Sequence, residues 1–351
     1  MAYPDYPAPE HVAGQRGALA PDYDADVVIL ALDRAEETVE AIASARAQAG
    51  LSKHVWVADQ GSAPQNLARL AAAVEGATDT TLVRLDRNWG VAGGRNRATA
   101  LGRGRVVFAL DNDAEFASVD TLARAVGALD ADPGLAAIAC RILVHATGED
   151  DVSSWGYPAG LLRRAGESFD VITFVGAGAA LRRRDFTRAG GYDDALFFLF
   201  DELDFCLRAI NLGQRIRYRG DIGVRHKVSP ERRFAWNGTR WFYFVRNRLY
   251  VEMKHASPLA VLPRFLAYQV KGARNGVLGQ GLRAGVAALR MWRAFRSPPG
   301  HEALYRLTPA ARDYIRRNDM AHRGGLLCRL RQEVLSPLPG LLRGVEAARR
   351  G

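Results

Sequence analysis

Asp111 and Asp113 stand one residue apart, with Asn112 between them, at the end of the apolar run Val106-Val107-Phe108-Ala109-Leu110 in a chain of 351 residues. Two carboxylates at the mouth of a buried strand are costly unless a positive partner meets them. If the strand persists through them, both side chains point to one side. A divalent cation carrying phosphates is the natural partner, because Mg²⁺ takes one or two carboxylates and fills its shell with phosphate oxygens. A second acidic pair, Asp201-Glu202, opens a helical pattern after the apolar stretch 195–200. Crowding raises the pKa of one carboxyl in such a pair and suits it to general-base work. Acids in a first helical turn also favour the helix dipole with no chemistry at all. His226 follows the next strand, and that placement is what singles it out among seven histidines. The glycine-rich stretch 90–94, followed by Arg95 and Asn96, reads as a loop leading into a short helix. It lacks the GxGxxG spacing of a dinucleotide fingerprint and serves equally as a packing device.

The elements that must position these residues alternate. Residues 26–32 form a strand-length apolar run ending at Asp33, and Asp33 with Glu36 fits an N-cap and its box partner. Val39, Ile42 and Ala43 recur at helical spacing until Gly50. A second strand, 54–58, ends at Asp59-Gln60-Gly61-Ser62, and Pro64 suits the first turn of the helix that follows. A third strand, 80–85, precedes Asn88 and the glycines. This β-α-β-α-β-α-β order predicts an α/β fold, a mostly parallel sheet flanked by helices. Ligands in such sheets bind beyond the carboxyl ends of the strands, where Asp33, Asp59, Asn88 and Asp111 all fall. Strands over 135–144, 171–175 and 179–181 and an irregular stretch, 145–170, come next. From Asn237 onward the pattern is helical, and Trp241, Phe242, Tyr243 and Phe244 suit a core or interface better than a nucleobase platform.

The chain is 48% hydrophobic, enough for one large domain with an appendage. Cys140, Cys206 and Cys328 match no metal or redox spacing and read as reduced thiols of a cytoplasmic protein. Residues 1–25 read as a flexible lead with neither signal nor transit character. No window approaches the roughly 18 apolar residues of a membrane span. Residues 225–351 hold 25 Lys+Arg against 7 Asp+Glu, whereas residues 1–224 hold 23 against 31. A basic tail of this kind suits nucleic acid, an anionic membrane face or a phosphorylated substrate, or is simply a solvated helical surface.

Taken in order, several pieces resemble the family 2 inverting glycosyltransferases of GT-A fold, and their bacterial rhamnosyltransferase-like members in particular. The pieces are the strand ending at Asp33, VADQGS at 57–62, NWGVAGGRN at 88–96, DNDAEF at 111–116, VGAGAALRRRDF at 175–186, GGYDDALFFLFDELDFCLR from Gly190 to Arg208, and VRHKVS at 224–229. The resemblance covers residues 26–255 and implies a nucleotide-diphosphate-sugar donor, dTDP- or UDP-linked, and an acceptor hydroxyl. By the family pattern Asp59 contacts the nucleobase, near Asp33. Asn88, Gly94 and Asn96 hold the nucleotide, Asp111 reaches ribose or metal, and Asp113 binds Mn²⁺ or Mg²⁺. His226 completes the metal or diphosphate site, and Glu202 takes the base position with Asp201 beside it. Three departures are visible. Leu30-Ala31-Leu32-Asp33 stands where the family has Pro-Thr-Tyr-Asn, the Glu-Asp pair reads Asp201-Glu202, and Asn112 replaces the middle aspartate of the metal motif, where it can still coordinate or hydrogen-bond.

The expected organisation is a lead at 1–25, a catalytic domain at 26–235 with a nucleotide half at 26–116 and an acceptor half at 117–235, and a basic helical region at 236–351. Expected partners are the donor and a glycan, lipid-linked or small-molecule acceptor. The tail is expected on an anionic membrane surface, on the inner face of the membrane, and nucleic acid is not an expected partner. The oligomeric state stays open. The rival readings are a nucleotidyltransferase on a similar sheet and a non-catalytic polyanion-binding module.

Overall fold

The computed structural model describes residues 6–16, 22–227, 237–325, 333–335 and 338. The chain runs β1 (Glu10–Gly14), β2 (Ala25–Ala31), α1 (Ala35–Arg46), β3 (Lys53–Asp59), α2 (Pro64–Val74), β4 (Thr80–Arg84), α3 (Gly90–Leu101), β5 (Val106–Leu110) and β6 (Ala114–Phe116). It continues α4 (Thr121–Ala131), β7 (Leu135–Val144), β8 (Ser168–Val171), β9 (Gly178–Arg182), α5 (Arg183–Arg188), α6 (Asp201–Asn211) and β10 (Arg215–His226). Four helices follow: α7 (Asn237–His255), α8 (Leu262–Arg274), α9 (Leu278–Ala294) and α10 (Pro309–Asn318).

The strands form one sheet in the order β1-β4-β3-β2-β5-β9-β7-β10-β6, with β8 also on β10. β4, β3, β2 and β5 are parallel, as are β7 and β10, while β9 runs antiparallel between β5 and β7. The central strands are apolar at successive positions because helices cover both faces. Ile29, Val57 and Phe108 pack with Ile42 of α1, Leu70 of α2 and Leu122 of α4. On the other face Val28, Val107 and Leu181 meet Ala98 of α3, Phe186 of α5 and Phe205 of α6. A third core joins α7, α8 and α9 to the sheet-bearing part of the chain through Leu196, Leu203 and Leu207. Cys140 and Cys206 are buried thiols, and Cys328 lies outside the described residues.

Four local expectations need correction. The 1–25 lead carries an element, since β1 pairs antiparallel with β4 and covers what would be an open sheet edge. Asp33 is not the cap of α1: it and Arg34 both take left-handed backbone, and Arg34 occupies the cap position with no side-chain bond. The 90–94 stretch is not a loop but the opening turns of α3, with only Gly90 left-handed. The strand expected over 171–175 ends at Val171, as β8.

Candidate active site

β5 stops at Leu110, and the 111–113 turn feeds straight into β6. β6 pairs antiparallel with the end of β10, setting Ala114 opposite His226. That register, with the Lys227 N–H donating to the Asp113 carbonyl at 2.8 Å, brings His226 to the aspartates from more than a hundred residues away. Asp111, Asp113 and His226 each present a ligand atom, all within 4.8 Å of one another. Two carboxylates and one imidazole form a donor set suited to a Mn²⁺-like ion. His226 is oriented from behind: its Nδ1 meets Asp151 Oδ2 at 3.2 Å, and Asp151 is itself fixed by the Ser153 N–H at 3.0 Å. Nε2 therefore faces Asp113 Oδ1 at 3.4 Å, the carboxylate–histidine arrangement that metal sites use to aim a ring.

Positive groups also meet the aspartates. Arg34 Nη1 donates to Asp113 Oδ2 at 2.6 Å. Burial works to raise the Asp113 carboxyl, but His226 and Arg34 outweigh it and hold it down at about 2. Burial likewise works to lower His226, and the hydrogen bonds and charges of Asp113 and Asp151 override it, pushing the imidazole up to about 9.

The second half of the site is built by α6. Three non-glycine residues just before it, Phe197 (φ 62°), Leu199 (φ 73°) and Phe200 (φ 68°), adopt left-handed backbone. Such conformations cost on the order of 1–3 kcal/mol each and persist only where neighbours over-determine them. Here the neighbour is α7. The fully buried Asn247 directs its amide to the carbonyls of Leu196 at 2.8 Å, Phe198 at 2.7 Å and Leu199 at 2.9 Å. From the other side the Val91 N–H of α3 donates to the Phe197 carbonyl at 2.6 Å.

The clamped turn delivers Asp201, 1% exposed, and Glu202, whose side chain is 17% exposed. Both Asp201 oxygens are buried and take no hydrogen bond from a fixed donor. Burial raises both carboxyls, and Asp201 raises Glu202 further still, while Arg95 opposes the rise in each. The pair therefore holds one proton between its members beyond the ordinary carboxylate range.

Arg95 ties the halves together. It is 3% exposed, and its Nη2 donates to Asp111 Oδ1 and to the Gly176 carbonyl, both at 2.6 Å. Its Nη1 lies 3.6 Å from Glu202 Oε1 and has no hydrogen-bond partner. Gly176 makes room for this: a Cβ there would stand 2.4 Å from Glu202 Oε1 and 2.7 Å from Arg95 Nη1. Gly176→Ala is therefore expected to displace both groups. Because a misplacement of roughly 1 Å can cost about a hundredfold in rate, initial rates of this variant should fall by that order while its melting midpoint stays close to wild type.

The other residues that sequence singles out divide. Asp33 and Asn88 are exposed at their strand ends. Asp33 accepts from the Ala63 N–H at 2.9 Å and the Asn66 amide at 2.8 Å, and Asn88 accepts from the Gly90 N–H at 2.8 Å. Asp59 has no exposure and accepts from the Gly61 and Ser62 N–H groups at 3.1 Å, shaping its own loop. Gly94 is a packing residue, since a Cβ there would lie 2.6 Å from Gln60 Oε1. Asn96 is buried and fully engaged, donating to the Tyr192 carbonyl at 2.8 Å and Asp194 at 2.7 Å and accepting from the Tyr192 N–H at 2.9 Å. Its amide staples α3 to the 192–194 turn, and both of its N–H groups are taken within the fold. Asn112 donates to Thr38 Oγ1 at 3.1 Å, so its amide points to α1. Arg95, Arg34, Asp151 and Asn247 are the functional neighbours that motif reading passes over. The one signal for Arg95 was its place directly after the glycine-rich stretch 90–94.

A sheet of this order, with helices on both faces and a carboxylate–histidine cluster at the end of its fifth strand, is the GT-A class of glycosyltransferase architecture. Solved structures share it. A mannosyltransferase from Pyrobaculum calidifontis, in complex with GDP-Man and Mn²⁺, aligns over 90% of each chain with TM-score 0.53 and 21% identity. GalNAc-T7 with UDP, GalNAc and Mn²⁺ aligns over 78% of this chain and 55% of its own, with TM-score 0.54 and 15% identity. Residues 26–190 match the model of Glycosyl transferase family 2. The matched region ends before Asp201, Glu202 and His226. The succinoglycan biosynthesis protein ExoO of Rhizobium meliloti (strain 1021) is 37% identical over 108 residues, a match that covers 31% of this chain and 30% of the relative's length.

Proposed function

We propose that this protein transfers a sugar from a nucleoside-diphosphate sugar to an acceptor hydroxyl, with inversion, in the biosynthesis of a glycan or glycoconjugate. The observation that carries the reading is the position of Asp111. It lies within ligand distance of Asp113 and His226 and also accepts from Arg95, which reaches to Glu202. Leaving-group chemistry and acceptor chemistry are thereby joined in one constellation. Neighbours of the same fold bind GDP-Man or UDP with Mn²⁺, which supports a nucleotide donor and a divalent ion without fixing the base.

Asp111, Asp113 and His226 would hold Mn²⁺ or Mg²⁺, with Asp33, Asp59 and Asn88 at the neighbouring strand ends on the nucleotide side. When bound, the ion supplies charge neutralisation to the departing diphosphate. Arg95 fixes Asp111 and limits how far the Glu202 carboxyl rises. Glu202, the more exposed of the acidic pair, accepts the proton of the acceptor hydroxyl as that oxygen bonds to the anomeric carbon. The anomeric carbon–diphosphate bond breaks on the opposite face, so configuration inverts. Asp201, sealed from solvent, acts on the acceptor only through Glu202. The acceptor classes that fit are a glycan, a lipid-linked sugar or a small molecule, and the catalytic unit we assign is residues 26–235 with the helical region beyond it.

Incubation with Mn²⁺ and a panel of UDP-, GDP- and dTDP-sugars tests the reading. Nucleoside diphosphate release, with a product of inverted anomeric configuration by NMR, is expected. Pyrophosphate release would instead identify a nucleotidyltransferase, and no turnover with any donor, in the presence of a range of acceptors, would leave a binding module.

A further inference from the structure

We infer that the α8–α9 hairpin is an interfacial surface that docks on an anionic lipid bilayer. Helix α8 exposes Leu262 (53%), Leu266 (55%) and Val270 (50%), and α9 exposes Leu278 (40%), Leu282 (47%) and Val286 (53%), all at four-residue spacing. At about 100° per residue each set forms one stripe. The two stripes share a face of the hairpin. Tyr268 and Gly272 of α8 and Gly281 of α9 pack toward Trp241 of α7, so residues on the opposite side of both helices turn outward together. The helices are antiparallel and close, as a Cβ on Gly285 would meet Phe265 and one on Gly281 would meet Gln269. Leu259, 81% exposed, and Leu289 extend the face at the end where α8 starts and α9 finishes.

Charge identifies the occupant. No Asp or Glu occurs between Glu252 and Glu302, while eight Lys and Arg do. Arg274 flanks the stripe on α8, and Arg283 and Arg290 flank it on α9, all of them exposed. An apolar strip edged by arginines matches the boundary between headgroups and acyl chains of a bilayer containing anionic lipid. A second copy of the chain is a poorer occupant, because apposed faces would bring two arginine rims together. Among the described residues no helix is long and apolar enough to cross a membrane, so docking is from one side. This inference does not depend on the transfer reading, since it concerns a surface that shares no residue with the site.

The test is flotation of the full chain with phosphatidylcholine vesicles, with and without phosphatidylglycerol. Wild type should float with the anionic vesicles and remain behind with the neutral ones, and added salt should weaken flotation. The double variant Leu266→Glu/Leu282→Glu should lose binding with its circular dichroism unchanged. Replacing Arg274, Arg283 and Arg290 with Gln should weaken partition by about a hundredfold, the sum of three near-surface cations. Wild type that never floats would overturn the proposal, as would a double variant that floats as well as wild type. Light scattering that shows a dimer dissociated by the double variant would assign the face to self-association and also overturn it. Failure of the vesicle test leaves donor turnover untouched, so the two readings fail separately.

Discussion

Glu202→Gln is expected to lower transfer by about 10²- to 10⁴-fold, the usual contribution of a general base, while nucleotide binding and thermal stability hold. The substitution keeps the shape of a 17% exposed side chain and removes only its capacity to take a proton. Burial and the neighbouring Asp201 raise the Glu202 carboxyl, so the group is protonated and inactive at acidic pH. The rate should therefore climb with pH until that raised value is passed, and the climb should vanish in Glu202→Gln. Asp201→Asn makes a different prediction. It removes the negative charge that lifts Glu202, so the rising limb should move toward acid while most turnover survives. The reverse result, a tolerated Glu202→Gln and a dead Asp201→Asn, would transfer the base role to Asp201. Donor hydrolysis measured across pH 5 to 9, taken as roughly the span of carboxyl shifts in buried pairs, reads both variants at once.

The scaffold was legible because its signals are local. Apolar runs of strand length alternating with helical spacing marked β2 to β5 and α1 to α3, and the ends of those strands were enough to gather Asp33, Asp59, Asn88 and Asp111 on one edge. The acids and His226 were legible as types. What could not be read was which polar side chain faces the ligand and which serves the fold. Asn96 and Asp111 look alike as conspicuous polar residues near glycines or strand ends, yet Asn96 is consumed by the Tyr192 backbone. That depends on a contact across 96 residues, which no spacing encodes. Asn247 is the extreme case. Nothing in the aromatic, basic pattern of α7 suggests that one amide holds three carbonyls of a left-handed turn before Asp201. The charge balance of the C-terminal region was plain, but its apolar stripe emerged only once α7 was known to cover the opposite faces of α8 and α9.

Divalent metal binding should be lost in Asp113→Ala, and in the wild type it should tighten as pH rises. The Asp113 oxygens are engaged by Arg34 at 2.6 Å and by His226 at 3.4 Å. The imidazole there is raised to about 9, so at neutral pH it carries a proton that a metal ligand must give up. Occupancy by Mn²⁺ thus releases one proton from His226, and apparent affinity should gain about tenfold per pH unit below that value. Asp151 enters twice. Its carboxylate aims Nε2 at the site, so Asp151→Asn should weaken Mn²⁺ by about 10- to 100-fold, as loss of an orienting partner does. It also helps hold the proton on His226, so the same variant should flatten the pH dependence near neutrality. Isothermal titration with Mn²⁺ in buffers of different ionisation enthalpy counts the released proton directly. An affinity that does not change between pH 6.5 and 8, a span on the acid side of the raised imidazole, would remove His226 from the coordination set and leave Asp111 and Asp113 to hold the ion with substrate oxygens.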